Sequence, residues 1–103
     1  YPGVERELEI VALKAPGASA RLSRAVVEFV QRMRTLDLFK APGVAETIDW
    51  TNALVALNTI SLDPATVQST LGVLLKYQDD IARMQGGETG RLLDELRAQA
   101  LVD

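Results

Sequence analysis

The chain has 103 residues, one domain's worth, with 11 basic and 14 acidic side chains and a net charge of −3. That mild acidity argues against a general nucleic-acid binder, which carries a basic surface. The absence of Cys and His excludes a disulfide framework, thiol chemistry and an imidazole base at neutral pH.

Apolar residues make up 48% of the chain, enough for a modest core, while aromatics at 5% are scarce. The core must therefore come from Leu, Val, Ile and Ala, which favours helices over a sheet sandwich. No apolar run approaches the ~18 residues that span a bilayer, and no signal-peptide pattern is present. The expectation is a soluble, cytoplasmic protein. The chain opens at Tyr1-Pro2-Gly3 without Met, which reads as a piece of something longer.

In chain order, the first helix is expected from Gly3 or Val4 to Ala15, with Val4, Leu8, Val11 and Ala12 on one face. Glu5, Glu7 and Glu9 diverge around it and read as a solvated surface. Pro16-Gly17 ends it. Ser19 is an N-cap candidate for a second helix to about Leu36, with Leu22, Val26, Phe29, Val30, Met33 and Leu36 inward. Arg21, Arg24, Glu28, Gln31 and Arg32 take its polar face. The following connector is expected to tuck Leu38 or Phe39 against the bundle.

Pro42-Gly43 signals a turn into a third helix, Val44 to Leu57, which holds the only Trp. Its apolar positions fall on two neighbouring stripes, Trp50, Leu54 and Leu57 beside Ile48 and Val55, so it reads as the central helix. Asp63-Pro64 opens a fourth helix as N-cap and first helical residue. Val67, Leu71, Leu74 and Leu75 form its buried face, and Gly72 could admit a close neighbour. The pattern runs on through Tyr77, Ile81 and Met84, either as one long helix or as two that break near Lys76.

Gly86 to Gly90 is the most flexible stretch by composition, a hinge before a tail helix with Leu92, Leu93, Leu96, Ala100 and Leu101. The expected fold is all-α, a bundle of four to six helices. Residues 1–85 form the bundle, 86–90 the hinge and 91–103 the tail. The core is expected at Val26, Phe29, Val30, Ile48, Trp50, Leu54, Leu57, Leu71 and Leu74.

Catalytic candidates are lacking. Ser and Thr have no activating neighbour, and no catalytic residue or metal ligand is assigned. Asp79-Asp80 point about 100° apart on a helix and read as a solvated face. The Gly86–Arg91 segment lacks the Lys and the preceding strand of a phosphate loop. No helix is basic enough to serve as a DNA-recognition helix.

Several runs, taken together and in order, carry a resemblance. They are Tyr1-Pro2 with Glu5-Arg6-Glu7-Leu8-Glu9-Ile10-Val11, Lys40-Ala41-Pro42-Gly43-Val44-Ala45-Glu46-Thr47-Ile48-Asp49-Trp50, Leu62-Asp63-Pro64, and Thr70 through Ile81. They resemble the C-terminal lid domain of MoxR-like AAA+ ATPases, closest to the branch associated with carbon monoxide dehydrogenase maturation and von Willebrand factor A-domain partners. The resemblance covers roughly residues 1 to 85.

It implies an all-α lid following an N-terminal nucleotide-binding domain, which closes over ATP and Mg²⁺ held by that domain. It also implies a hexameric parent that remodels a partner protein or inserts a metal cofactor into it. The nucleotide-proximal positions would be Lys40, Gly43, Glu46 and Thr47. This chain alone would bind no cofactor and hydrolyse nothing. One departure stands out: such lids offer an arginine at the turn opening the third helix, and here no basic residue lies between Lys40 and Lys76. The competing reading is a free-standing helical module for protein–protein contact without a nucleotide role, with a DNA-binding bundle third.

Overall fold

The computed structural model describes residues 1–102; Asp103, the end of the expected tail segment, lies outside them. The fold is all-α: α1 Val4–Lys14, α2 Ala20–Met33, α3 Val44–Ala56, α4 Pro64–Leu74, α5 Gln78–Arg83, a π-helical turn Met84–Glu88, and α6 Thr89–Val102. No strand occurs among the described residues, and no helix of theirs is long and apolar enough to cross a membrane.

Local chemistry sets the helix ends. The Ser19 hydroxyl accepts the Leu22 N–H at 3.0 Å, and Asp63 accepts the Thr66 N–H at 2.9 Å with Pro64 at the first helical position. Gly43 opens α3, and the Glu46 carboxylate reaches back to accept its N–H at 2.8 Å. At the other end of α3, Asn58 takes the left-handed conformation at φ 58°. Asn tolerates this better than most residues. It lets the Thr59 N–H reach the Leu54 carbonyl and the Asn58 N–H reach that of Val55, closing the helix.

One cluster forms most of the core: Leu22, Val26, Phe29, Val30 and Met33 of α2, Trp50 and Leu54 of α3, Val67, Leu71 and Leu74 of α4, then Leu75, Met84, Leu92 and Leu93. Trp50 is fully buried, its ring centroid 5.7 Å from that of Phe29. Its indole N–H donates to the Thr70 hydroxyl at 2.7 Å, so the one polar atom of the ring is satisfied. A smaller cluster of Val11, Ala15 and Val27 carries Val4, Leu8 and Ile48 at its edge and seats α1.

The structure corrects several expectations and decides two that were left open, the residue tucked by the connector and the break near Lys76. Leu57 is 61% exposed: it is the C-cap, past the last residue of α3 at Ala56, and does not join the main cluster. Ile48 is half-buried and belongs to the smaller cluster rather than the main one. Ala12 is exposed, and α1 buries Glu7 and Val11 instead. The most enclosed helix is α2, with seven buried residues against four for α3, two of those being threonines. Of the connector's two candidates, Leu38 packs on the core and Phe39 does not. The fourth helix breaks at Leu75, which is extended, and Tyr77 is exposed. Gly72 faces open space and admits no neighbour.

The segment expected to be a hinge is a kink. Gly87 takes φ 116°, a conformation that favours glycine, and the chain passes from α5 into α6 through buried Met84 and Thr89. Leu92 and Leu93 lie in the main cluster with α2 and α4, so the tail helix packs on its own bundle and the expected boundary at residue 85 does not divide the core. Arg32 fastens it further, with hydrogen bonds to Glu95 and Gln99.

Candidate functional site

The connector from α2 to α3, residues 34 to 43, is held from below by charged side chains that two of the helices bury. Arg34 lies just past α2, and its side chain is 6% exposed. Its guanidinium donates to both oxygens of Glu7, at 2.7 and 2.8 Å, in a planar fork that matches a carboxylate. It also donates to the Pro42 carbonyl at 2.7 Å and, more weakly, to the Thr47 hydroxyl at 3.3 Å. The Tyr1 ring covers it, 4.4 Å from the guanidinium carbon.

Glu7 is fully buried and takes a third hydrogen bond from the Gln31 amide at 2.8 Å; the same amide reaches the Pro2 carbonyl at 3.1 Å. One ion pair thus joins the N-terminal segment, α1, α2, the connector and the start of α3. Burial pushes the Glu7 carboxyl up. The hydrogen bonds from Arg34, Thr47 and Gln31, with the charge of Arg34, outweigh it and hold the group below its ordinary 4.5. Thr47 has only one hydroxyl proton to share between this carboxylate and the Gly43 carbonyl, which it meets at 3.0 Å.

A second buried carboxylate fixes the middle of the connector. Asp80 in α5 is 2% exposed and accepts the N–H groups of Phe39 at 2.9 Å and Lys40 at 3.1 Å. Arg83, one turn on, donates to the Asp37 carbonyl at 2.7 Å. Glu7 and Asp80 were both expected in solvent, and both are buried anchors. A signal existed: Glu7 stands three residues after Val4 and four before Val11, and Asp80 four before Met84. Each interrupts an apolar stripe, which a solvated charge has no reason to do. Gln31 and Arg34 lacked such a clear mark, because their partners are 24 and 27 residues away in sequence.

The four positions expected near nucleotide fare unequally. Gly43, Glu46 and Thr47 meet at the first turn of α3, where Thr47 is fully buried against Arg34. Glu46 occupies the positive end of the helix as its cap, so an anion approaching there meets a carboxylate. Lys40 is exposed, on a backbone fixed by Asp80. Arg34 is the arginine nearest this turn, and its guanidinium is committed to Glu7. Of the four positions only Lys40 is a cation, and the Gly43 N–H that an anion would meet is already taken by Glu46. No group of three or more potential ligands suited to a metal ion occurs among the described residues. No protein-family model matches the chain, no curated protein matches it and no solved structure matches it.

Proposed function

We propose that this chain is the C-terminal helical lid of a MoxR-like AAA+ ATPase. The nucleotide, with its Mg²⁺, is held by an N-terminal domain of the same parent. In this reading the parent is a cytoplasmic hexamer. It couples ATP hydrolysis to remodelling of a client or to metal-cofactor insertion, with a von Willebrand factor A-domain protein as partner. The observation that carries the reading is the immobilised connector. The turn that the sequence resemblance sets beside nucleotide is held at both Phe39-Lys40 and Pro42 by hydrogen bonds to the buried side chains of Asp80 and Arg34. A wall that must close on a ligand and transmit force gains from such rigidity.

Since Arg34 is spent on Glu7, Lys40 is the residue assigned to face phosphate. The lid supplies one wall, and no chemical step is assigned to it. Titration of the 103-residue chain with ATP·Mg²⁺ by calorimetry should give millimolar binding or weaker, about 4 kcal/mol or less, and no phosphate release. In the intact parent, Lys40→Ala should lower turnover with every residue of the nucleotide-binding domain present. Micromolar binding by the isolated chain, or a parent indifferent to loss of this domain, overturns the reading. The alternative, a free-standing interaction module, draws on the exposed rings of Phe39 and Tyr77, whose centroids lie 5.9 Å apart.

A further inference from the structure

Between α2 and α6 lies an open groove of about 680 Å³, with the connector Ser61-Leu62-Asp63 before α4 as its third wall. That is the size of clefts that hold ligands. Its floor is apolar: Leu93 is buried, and Leu62 and Leu96 are half-buried and packed on the main cluster. Ala20, Ala25 and Ala100 line the flanks, and such small side chains let another helix come close.

The rim is cationic on both banks. Arg21 and Arg24 stand about a turn apart on α2, and Arg97 lies on α6 across the groove; all three are exposed. Two carboxylates share the lining, and both are engaged. Glu28 accepts from Arg24 at 3.3 Å, and Asp63 caps α4 through the N–H and hydroxyl of Thr66. Arg24 also meets Glu5 at 3.5 Å. Among the described residues Arg21 makes no ion pair, and Arg97 has only Asp94 on its own helix, at 3.4 Å. An exposed pair of that kind contributes little. Two guanidiniums therefore remain for an outside anion, one on each bank of an apolar floor, in a chain whose net charge is −3.

We infer that this groove docks an acidic amphipathic helix of a partner protein. The partner's apolar face lies on Leu62, Leu93 and Leu96, and its carboxylates meet Arg21 and Arg97. Charge selects an anionic occupant, and shape selects its kind. A bilayer is flat and does not reach a floor walled on three sides, whereas a helix laid between α2 and α6 does. A second copy of this chain offers no such helix, because the acidic α1 spends its apolar face on α2 and α3. The contact is small, so association is weak, with a dissociation constant on the order of 100 µM. The inference rests on no part of the lid reading, since the groove shares no residue with the connector from 34 to 43.

Fluorescence anisotropy with the 103-residue chain tests this. The probe is a fluorescein-labelled peptide of about 14 residues, with leucines at i, i+3, i+4 and i+7 and glutamates flanking them. Saturable binding is expected, weakening in high salt. A matched peptide with lysine for glutamate, and another with serine for leucine, should each bind at least tenfold more weakly. Arg21→Glu combined with Arg97→Glu should weaken the glutamate peptide at least tenfold and admit the lysine peptide, while circular dichroism and Trp50 emission stay native. Arg6→Glu, on α1 outside the groove, should change affinity by less than about twofold. No binding at about 1 mM chain, equal affinity for the glutamate and lysine peptides, or an Arg6→Glu loss as large as that of the groove pair would each overturn the proposal. So would sedimentation showing that the same two arginines bind a second copy of the chain, or anionic vesicles, in place of the peptide.

Discussion

Trp50 and Arg34 each anchor a region of the interior, and the two regions cohere for different reasons. Around Trp50 the contacts are between apolar side chains of α2, α3, α4 and α6, with one neutral hydrogen bond to Thr70. Such packing is non-directional, and its loss is graded by how many atoms are removed. Around Arg34 the contacts are a buried ion pair and the amide, carbonyl and hydroxyl groups that complete it. Here removing one partner strands the other in a place without water. A buried pair of this kind adds little net stability over an apolar substitute, yet breaking it by halves is costly. The core holds the helices together; the clamp selects which way the connector and the start of α3 lie.

The largest effect should come from removing α6. Leu92 and Leu93 belong to the main cluster, so a chain ending at Gly87 should lose cooperative unfolding, read by Trp50 fluorescence in urea. A truncated chain that unfolds cooperatively would return the tail to the status of an appendage. Next is the clamp: Glu7→Ala should cost about 3–5 kcal/mol by leaving the Arg34 charge buried and unpaired.

Acid sharpens the same point. The folded carboxyl lies below its ordinary 4.5, so its contribution is fully present above pH 4.5 and is lost as pH falls through the lower folded value. Glu7→Gln should flatten that part of the acid limb, and an unchanged limb would mean other carboxylates set it. In the apolar region, Leu54→Ala should cost about 2–5 kcal/mol, as for a large-to-small change in a tight core. Asp80→Ala, which frees two connector N–H groups, should cost about 1–3 kcal/mol. Amide exchange at Phe39 and Lys40 should rise with it. The smallest effect has the opposite sign: Gly72 lies in α4 with open space around its missing Cβ, so Gly72→Ala should stabilise by about 0.5–1 kcal/mol.

The contrast also explains what the sequence makes legible. Spacing alone locates α2, the Asp63-Pro64 start of α4, and the burial of Trp50, Leu54, Leu71 and Leu74, because each rests on a period read within one segment. Leu57 shares that period and still lies outside, as the C-cap past the last residue of α3. Only half of the clamp is marked in such a reading: Glu7 interrupts the stripe of Val4 and Val11, whereas Arg34 resembles any other surface charge until the fold brings residues 27 apart within 2.7 Å. The glycine-rich segment misleads in the other direction: its composition speaks for flexibility, while Met84, Thr89 and Leu92 around it are buried. Of the candidate site, the first turn of α3 was legible as a place. That Glu46 caps it, and that Arg34 is committed beneath it, depends on how the folded chain brings these side chains together.

A double-mutant cycle on the clamp tests the account most directly. Urea midpoints would be measured for Glu7→Leu, Arg34→Met and the two combined. Each single change should be severely destabilising and the double variant no worse than either, a coupling of about 2 kcal/mol or more. Single costs that simply add, to within about 0.5 kcal/mol, would show that Glu7 and Arg34 do not act as a unit and would contradict the clamp.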